Sequence, residues 1–329
     1  FMLIKLFKNA RIYTPIDKGE PAVGEEQGLL AYFPNGAMVV EDGIIKAIGN
    51  IEDISDNIIE DSKVDCNGKL KTSGKVVDCQ GQCLIPGFVD PHTHICFARL
   101  RESEFEMRLN GAEYLEILKQ GGGILSSAEA VAAASEDELY LNTIKHALTA
   151  MKFGTTTLEI KSGYGLNTEN ELKMLSTIDL IGKTTPLDIV PTFLGAHAIP
   201  PNYKDNPDSF ISLVIDEMLP AVKAQGIAKH CDIFCENGVF SIEQGRKVLE
   251  AAKSLGFEVK LHADEVNDLG GALLAAELSA LSADHLLAAS DDNIEKMARS
   301  GVVATLLPAT AYSLRKPYAR ARAMIEKNV

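Results

Sequence analysis

A chain of 329 residues with 46% hydrophobic and 24% charged content has room for a barrel of about 250 residues plus a smaller module, and no apolar run approaches the roughly 20 residues needed to cross a bilayer. The net charge of −14 disfavours a nucleic-acid backbone as partner, because that would need a clustered cationic surface; a small anionic substrate is still allowed, since one arginine can fix a carboxylate locally. Six cysteines scattered without a dense framework point to a reducing cytoplasm and to packing as their role, and the opening Phe1-Met2-Leu3-Ile4 stretch carries no secretory signal.

Residues 1–82 read as a small β domain. Short β-like runs alternate with turns, and the apolar alternation on either side of Asp42-Gly43 predicts a hairpin with a tight turn. Asp53 to Lys75 is polar and charged, consistent with a loop-rich connection. From residue 83 to 329 the pattern changes to short apolar runs alternating with longer helix-like stretches. The predicted strands are Cys83–Asp90, Thr155–Lys161, Asp188–Gly195, Cys231–Glu236, Glu258–His262, Ala280–His285 and Val302–Pro308. Between them fall predicted helices over Glu136–Phe153, Thr168–Ile181, Ser209–Gln225, Ile242–Leu255 and Gly271–Leu278. Repeated βα units of this kind indicate an α/β fold of the (β/α)8 TIM-barrel type, with an eighth strand expected after Val329. An open doubly wound sheet could also use seven parallel strands, but no Gly-x-Gly-x-x-Gly follows the first of them. Gly121-Gly122-Gly123 does not follow a clear buried strand, and it reads as a flexible active-site loop.

The chemistry concentrates at predicted strand ends. Cys83–Asp90 runs into Asp90-Pro91-His92-Thr93-His94, and an extended backbone points the two imidazoles the same way, as a zinc or iron site needs. A lone His-x-His is more often a pair of satisfied histidines. Here Leu261-His262-Ala263-Asp264-Glu265 and Ser282-Ala283-Asp284-His285 also end strands, and in a barrel those ends form one mouth. His262 then completes a three-histidine metal set with His92 and His94. Glu265 is placed to handle a water proton, the competing role being a first-turn helix carboxylate, and His285 is placed to polarise or orient. Asp264 and Asp284 read as supports. Cys231 and Cys235 have zinc-like proximity, but no second cysteine pair accompanies them.

Asp90-Pro-His-Thr-His94, Gly121-Gly-Gly-Ile124, Lys161-Ser-Gly-Tyr-Gly-Leu166, Leu194-Gly-Ala-His-Ala198, His262-Ala-Asp-Glu265 and Ala283-Asp-His285 together resemble the imidazolonepropionases of the amidohydrolase superfamily. The resemblance runs from the N-terminal module to about Pro308. It implies a barrel with a small β-sandwich, a single zinc or iron ion, and hydrolytic opening of 4-imidazolone-5-propanoate to N-formimidoyl-L-glutamate in histidine breakdown. It implies His92, His94 and His262 as metal ligands, Glu265 as acid/base and His285 as partner of the hydroxide or carbonyl oxygen. Arg101, Tyr164 and His197 are implied as substrate contacts; on their own they would read as a solvated arginine, a packed tyrosine and a core histidine. An aspartate ligand is implied at the end of the eighth strand, and the sequence stops before it, which favours a fragment. A homodimer is a further expectation. The alternatives are an aminohydrolase acting on a heterocyclic base, a dinuclear relative with Lys161 as a modified bridging lysine, and a noncatalytic binding protein or inactive fragment.

Overall fold

The computed structural model describes residues 4–57, 74–113, 116–117 and 121–329. The chain divides into two compact units, Phe1–Pro86 and Gly87–Val329.

In the first unit, strand β1 (Ile4–Pro15) is central. It pairs antiparallel with β2 (Leu30–Glu41), which pairs antiparallel with β3 (Ile44–Asn50). It also pairs parallel with β4 (Gly74–Asp78) and with the two-residue β5 (Cys83–Leu84). Glu41 faces Ile44 across a two-residue turn in which Asp42 and Gly43 both take positive φ, 49° and 85°; this is the turn whose twist matches that of the flanking strands. Ile4, Leu6, Ala37, Val39 and Ile54 form the unit's own small core. Ile54 lies on a short helix, Ile51–Asn57, inside the stretch expected to be loop. Residues 58–73, the rest of that stretch with Cys66, lie outside the described residues.

The second unit is a seven-stranded parallel sheet: β6 (Phe88–Asp90), β7 (Thr155–Lys161), β8 (Asp188–Ala196), β9 (His230–Ile233), β10 (Glu258–Ala263), β11 (Ser282–His285) and β12 (Val303–Thr305). Each strand neighbours the next in sequence. A doubly wound sheet reverses its strand order at a switch point; this order runs one way around, as in a barrel. The expected first strand Cys83–Asp90 is in fact two. Cys83–Leu84 pairs with β1 in the small sheet, and only Phe88–Asp90 joins β7, so the unit boundary falls at Pro86/Gly87. Gly87 makes the close approach there, since a Cβ would lie 2.2 Å from Thr156 Oγ1. The expected strand Val302–Pro308 also shortens to Val303–Thr305, and Pro308 instead opens a helix, Pro308–Ser313, where its missing N–H costs nothing.

Helices cover the sheet where their starts are written locally. Ser135 and Glu138 form a reciprocal capping box at Glu136–Lys152, and Ser241 with Gln244 does the same for Ile242–Ser254. The run expected as one helix over Ser209–Gln225 is Pro207–Leu213, a π-helical turn over Val214–Met218, and Leu219–Gln225. Pro220 cannot donate to Asp216, and the wider turn accommodates that loss. The core between sheet and helices is dominated by fully buried Leu158, Ile160, Phe193, Ile233, Leu261 and Ala283 from the strands.

Candidate metal-hydrolase active site

The strands set the floor of the site through alternation. On β7, Glu159 and Lys161 point to one side while Leu158 and Ile160 pack on the other; on β10, Lys260 and His262 share a face. Register brings His262 opposite Asp284 and Ala263 opposite His285. At the strand ends three imidazole nitrogens converge: His94 Nε2 lies 3.1 Å from His92 Nε2 and 3.1 Å from His262 Nε2. Ligand nitrogens about 2.0–2.1 Å from one tetrahedral ion stand about 3.3 Å apart.

The other side of two of these rings is committed. His92 Nδ1–H donates to Asp284 Oδ2 at 2.6 Å, and His262 Nδ1 lies 2.9 Å from Asp232 Oδ2. With the proton on Nδ1, both Nε2 atoms present lone pairs toward His94. Lone pairs converging at this separation repel unless a proton or cation lies between them, so the donor set fits a metal ion. Burial and the Lys161 charge hold His92 well below the usual histidine range, and burial with the neighbouring His197 does the same to His94; both are then neutral, the ligand form. His92, His262 and His285 also bring ring nitrogens within 4.8 Å of one another, as do His94, His197 and His262.

Glu265 sits in the turn after β10. Asp264, at φ 49°, accepts from the backbone N–H groups of Leu269, Gly271 and Ala272, while Glu236 accepts from those of Val266 and Asn267. The turn is thus tied on both sides of Glu265, which is 7% exposed. Burial pushes the Glu265 carboxyl up to about 7, with the Glu236 charge adding to the rise against the pull of His262. A carboxyl poised there can both take and return a proton at neutral pH. Its Oε1 is 3.4 Å from His285 Nδ1. His285, at φ 76°, is buried with neither ring nitrogen hydrogen-bonded to protein, and burial first, then the neighbouring His262, drops it to about 3.

The predicted substrate contacts form part of the wall above this floor. Tyr164 lies in the Ser162–Leu166 turn, which wraps the buried Glu171 carboxylate: Gly163, Gly165 and Leu166 N–H all donate to it, at 3.0, 2.7 and 2.9 Å. Gly163 must be glycine, because φ is 105° and a Cβ would lie 2.9 Å from His197 Nδ1 and from the Leu194 carbonyl. His197 Nδ1–H donates to the Gly163 carbonyl at 3.0 Å and its ring stacks on His94. Arg101 stands just before the helix Glu102–Leu109, its Nη1 3.5 Å from Glu104 Oε2. Gly121-Gly122-Gly123 does not stand as a free loop; Gly123 N–H donates to Glu104 Oε1 and leads into the helix Ile124–Ala133. Cys231 and Cys235 are buried free thiols, and Cys235 Sγ–H donates to the Ser241 carbonyl.

All eight residues singled out in the sequence (His92, His94, Arg101, Tyr164, His197, His262, Glu265 and His285) line one cavity of about 430 Å³. Leu307, Thr310 and Ser313 line it as well, from around the unpredicted helix Pro308–Ser313, and so does Arg108, whose Nε is buried without a hydrogen-bond partner.

No family model matches the sequence. Imidazolonepropionase of Desulfotalea psychrophila is 60% identical over 325 residues, covering 99% of this chain and 76% of the relative. The chain belongs to the imidazolonepropionase family. The imidazolonepropionase of Syntrophobacter fumaroxidans is 56% identical, covering 98% of the chain and 74% of the relative. Among solved structures, a 5-methylcytosine deaminase from Klebsiella pneumoniae aligns at TM-score 0.65 and 15% identity, and a guanine deaminase from C. acetobutylicum at 0.64 and 14%, each covering 98% of this chain and 72% of the other. At that identity they show the shared amidohydrolase barrel alone.

Sequence reasoning missed Asp232, Glu159 and Lys260 beneath the histidines, and Glu171 and Glu236 behind the loops. A signal was present for the first three. Each is a charge inside an otherwise apolar strand run, and a charge so placed must be paired.

Proposed function

We propose that this chain hydrolyses the ring amide of 4-imidazolone-5-propanoate to N-formimidoyl-L-glutamate with one zinc or iron ion held by His92, His94 and His262. The carrying observation is the convergence of their Nε2 atoms beside Glu265 and His285 at the floor of a cavity with a guanidinium in its wall. When bound, the ion supplies Lewis-acid activation of water and of the carbonyl. Glu265 takes the proton from water and delivers it to the ring nitrogen as the C–N bond breaks, leaving the new carboxylate on the carbonyl carbon. His285 sits within reach of Glu265 and of the ligand cluster, where it can hydrogen-bond the attacked carbonyl oxygen. Arg101 offers its planar fork to the propionate carboxylate, with Tyr164 and His197 holding the ring.

The single-ion stoichiometry is supported by Lys161. Three carboxylate contacts at 2.8–3.4 Å occupy its ammonium, so it is not free to be modified into a bridging ligand, and the His92–Glu159–Asp284 group that could hold a second ion already holds lysine. Deamination of a heterocyclic base rests on fold likeness at 14–15% identity, and no feature of the cavity favours it.

Further parts of this reading concern the surroundings of the site. A closed barrel would place an eighth strand between β12 and β6, the two ends of the strand order, where Val303 and Val89 are 42% and 64% exposed. The small unit, Phe1–Pro86 rather than the expected 1–82, would contribute one sheet of a β-sandwich, and Gly87–Val329 would be the barrel segment. No helix among the described residues is long and apolar enough to cross a membrane, and the five described cysteines are free, which supports a cytoplasmic enzyme acting on a small molecule; homodimerisation is proposed only from the commonness of symmetric dimers.

The test is loss of imidazolone absorbance with stoichiometric appearance of N-formimidoyl-L-glutamate by metal-replete protein, abolished by chelation. Full metal occupancy without turnover would leave the noncatalytic reading in its place.

A further inference from the structure

Beneath the histidines lies a buried charge cluster that the proposed chemistry does not use. Lys161, at the end of β7, is 0% exposed. Its Nζ lies 2.8 Å from Asp232 Oδ2, 2.9 Å from Glu159 Oε2 and 3.4 Å from Asp284 Oδ2. The two aspartate oxygens it gathers are the same two that face the histidines: Asp232 Oδ2 is 2.9 Å from His262 Nδ1, and Asp284 Oδ2 is 2.6 Å from His92 Nδ1. Each aspartate's other oxygen is also tied. Asp232 Oδ1 accepts from the N–H groups of Ile233 and His262, and Asp284 Oδ1 accepts from the Ser282 hydroxyl.

We propose that Lys161 is a positioning residue for the metal ligands, a single ammonium group that aims two carboxylates so that His92 and His262 both keep Nδ1–H and both present Nε2. The inference rests on the metal reading of the three histidines given above. The physical case is the sharing of atoms. A carboxylate with one oxygen anchored by backbone or hydroxyl can still swing the other; an ammonium bridging Asp232 and Asp284 removes that freedom from both at once. Three strands, β7, β9 and β11, supply the three groups, so the bridge also fixes the spacing of the two histidine rings across the barrel. Glu159 completes the cluster without touching a histidine nitrogen in a hydrogen bond. It accepts from Lys260, at 2.9 Å, and from the Thr192 hydroxyl through Oε1, while its Oε2 shares Lys161 with the two aspartates. Carboxylates behind metal-bound histidines fix ring tautomer and orientation, and their loss typically weakens metal binding 10–100-fold; here one residue would control two of them.

The experiment compares zinc affinity of wild-type protein, Lys161→Met and Lys173→Met, measured by competition with a chromogenic chelator, with the unfolding midpoint of each metal-free protein taken in parallel. Lys173 binds the carbonyls of Val131 and Ala134 away from the site and serves as a control for losing a partly buried lysine. The expected result is zinc affinity weakened about 10–100-fold in Lys161→Met and unchanged in Lys173→Met, whatever either does to the midpoint. Equal affinity in Lys161→Met and wild type, or equal losses in both variants, overturns the inference while leaving the metal reading intact. Failure of wild-type protein to bind zinc or iron overturns the metal reading itself. Should Lys161→Met not fold, imidazole 15N shifts of the metal-free wild type decide: Nδ1–H tautomers at both His92 and His262 are expected, and a mixture at either overturns the proposal.

Discussion

The floor and the wall of the same cavity are built on different principles. On the floor the functional atoms come from β10, β11 and the turn after β6, and two of the three converging histidines lean on an aspartate from inside the barrel. On the wall, Arg101 heads the helix Glu102–Leu109, Tyr164 rides on a glycine turn, and Leu307, Thr310 and Ser313 come from around a six-residue helix. Two of the floor's rings, His92 and His262, face aspartate oxygens at Nδ1, whereas Arg108 Nε on the wall is buried with its hydrogen bond unmade. The His92 and His262 rings are therefore held by the protein itself, while Arg108 has a donor to spare. Strand register can hold atoms to fractions of an ångström; loops and short helices can change specificity without disturbing that register.

The contrast is broken most sharply at the floor. Glu265→Gln keeps shape and loses the proton acceptor, so kcat should fall by about 10²–10⁴ with metal content and substrate binding retained; near-normal turnover at full metal occupancy would remove the acid/base role, and loss of metal would make Glu265 a ligand or support. At the wall, Arg101→Ala should lower kcat/KM by about 10–100-fold, the scale of about 1.5–3 kcal/mol for a hydrogen bond to a charged group, and Arg101→Lys should recover part of it by keeping charge without the fork. An unchanged kcat/KM in both variants takes Arg101 out of the substrate site. Between floor and wall, Gly163→Ala forces a Cβ against His197 and the Leu194 carbonyl at positive φ; destabilisation of about 1–3 kcal/mol in thermal or urea unfolding is expected, and no change would mean the turn relaxes freely. Far from both, Ser135→Ala removes one capping box and should cost about 1 kcal/mol with kcat untouched, and a change in kcat there would show that the floor depends on the outer helices.

Most of the barrel was legible because its signals are local. Thr155–Lys161 and Glu136–Lys152 stand within a residue of their predicted limits, since alternation, a capping serine and a terminal glycine are all written within a few positions. Predictions failed where a distant partner decides. Cys83–Leu84 could not be told from Phe88–Asp90 by hydrophobicity, since they differ in which sheet accepts them. The helix Glu102–Leu109 has only a weak apolar face, and Arg108 on it, with Arg101 just before it, lines the cavity.

By itself the sequence determined the βα alternation, the hairpin at Asp42-Gly43 and the strand-end group His92, His94, His262, Glu265 and His285, marked by residue type and spacing, while Arg101, Tyr164 and His197 were reached only through the family resemblance. Only the tertiary structure decided what lies under them. Glu159, Lys161, Asp232, Lys260 and Asp284 come from four strands spread over more than a hundred residues, and each alone reads as a misplaced charge. Their role follows from alternation facing all five into one barrel interior, where low polarity makes mutual pairing the only stable arrangement open to them.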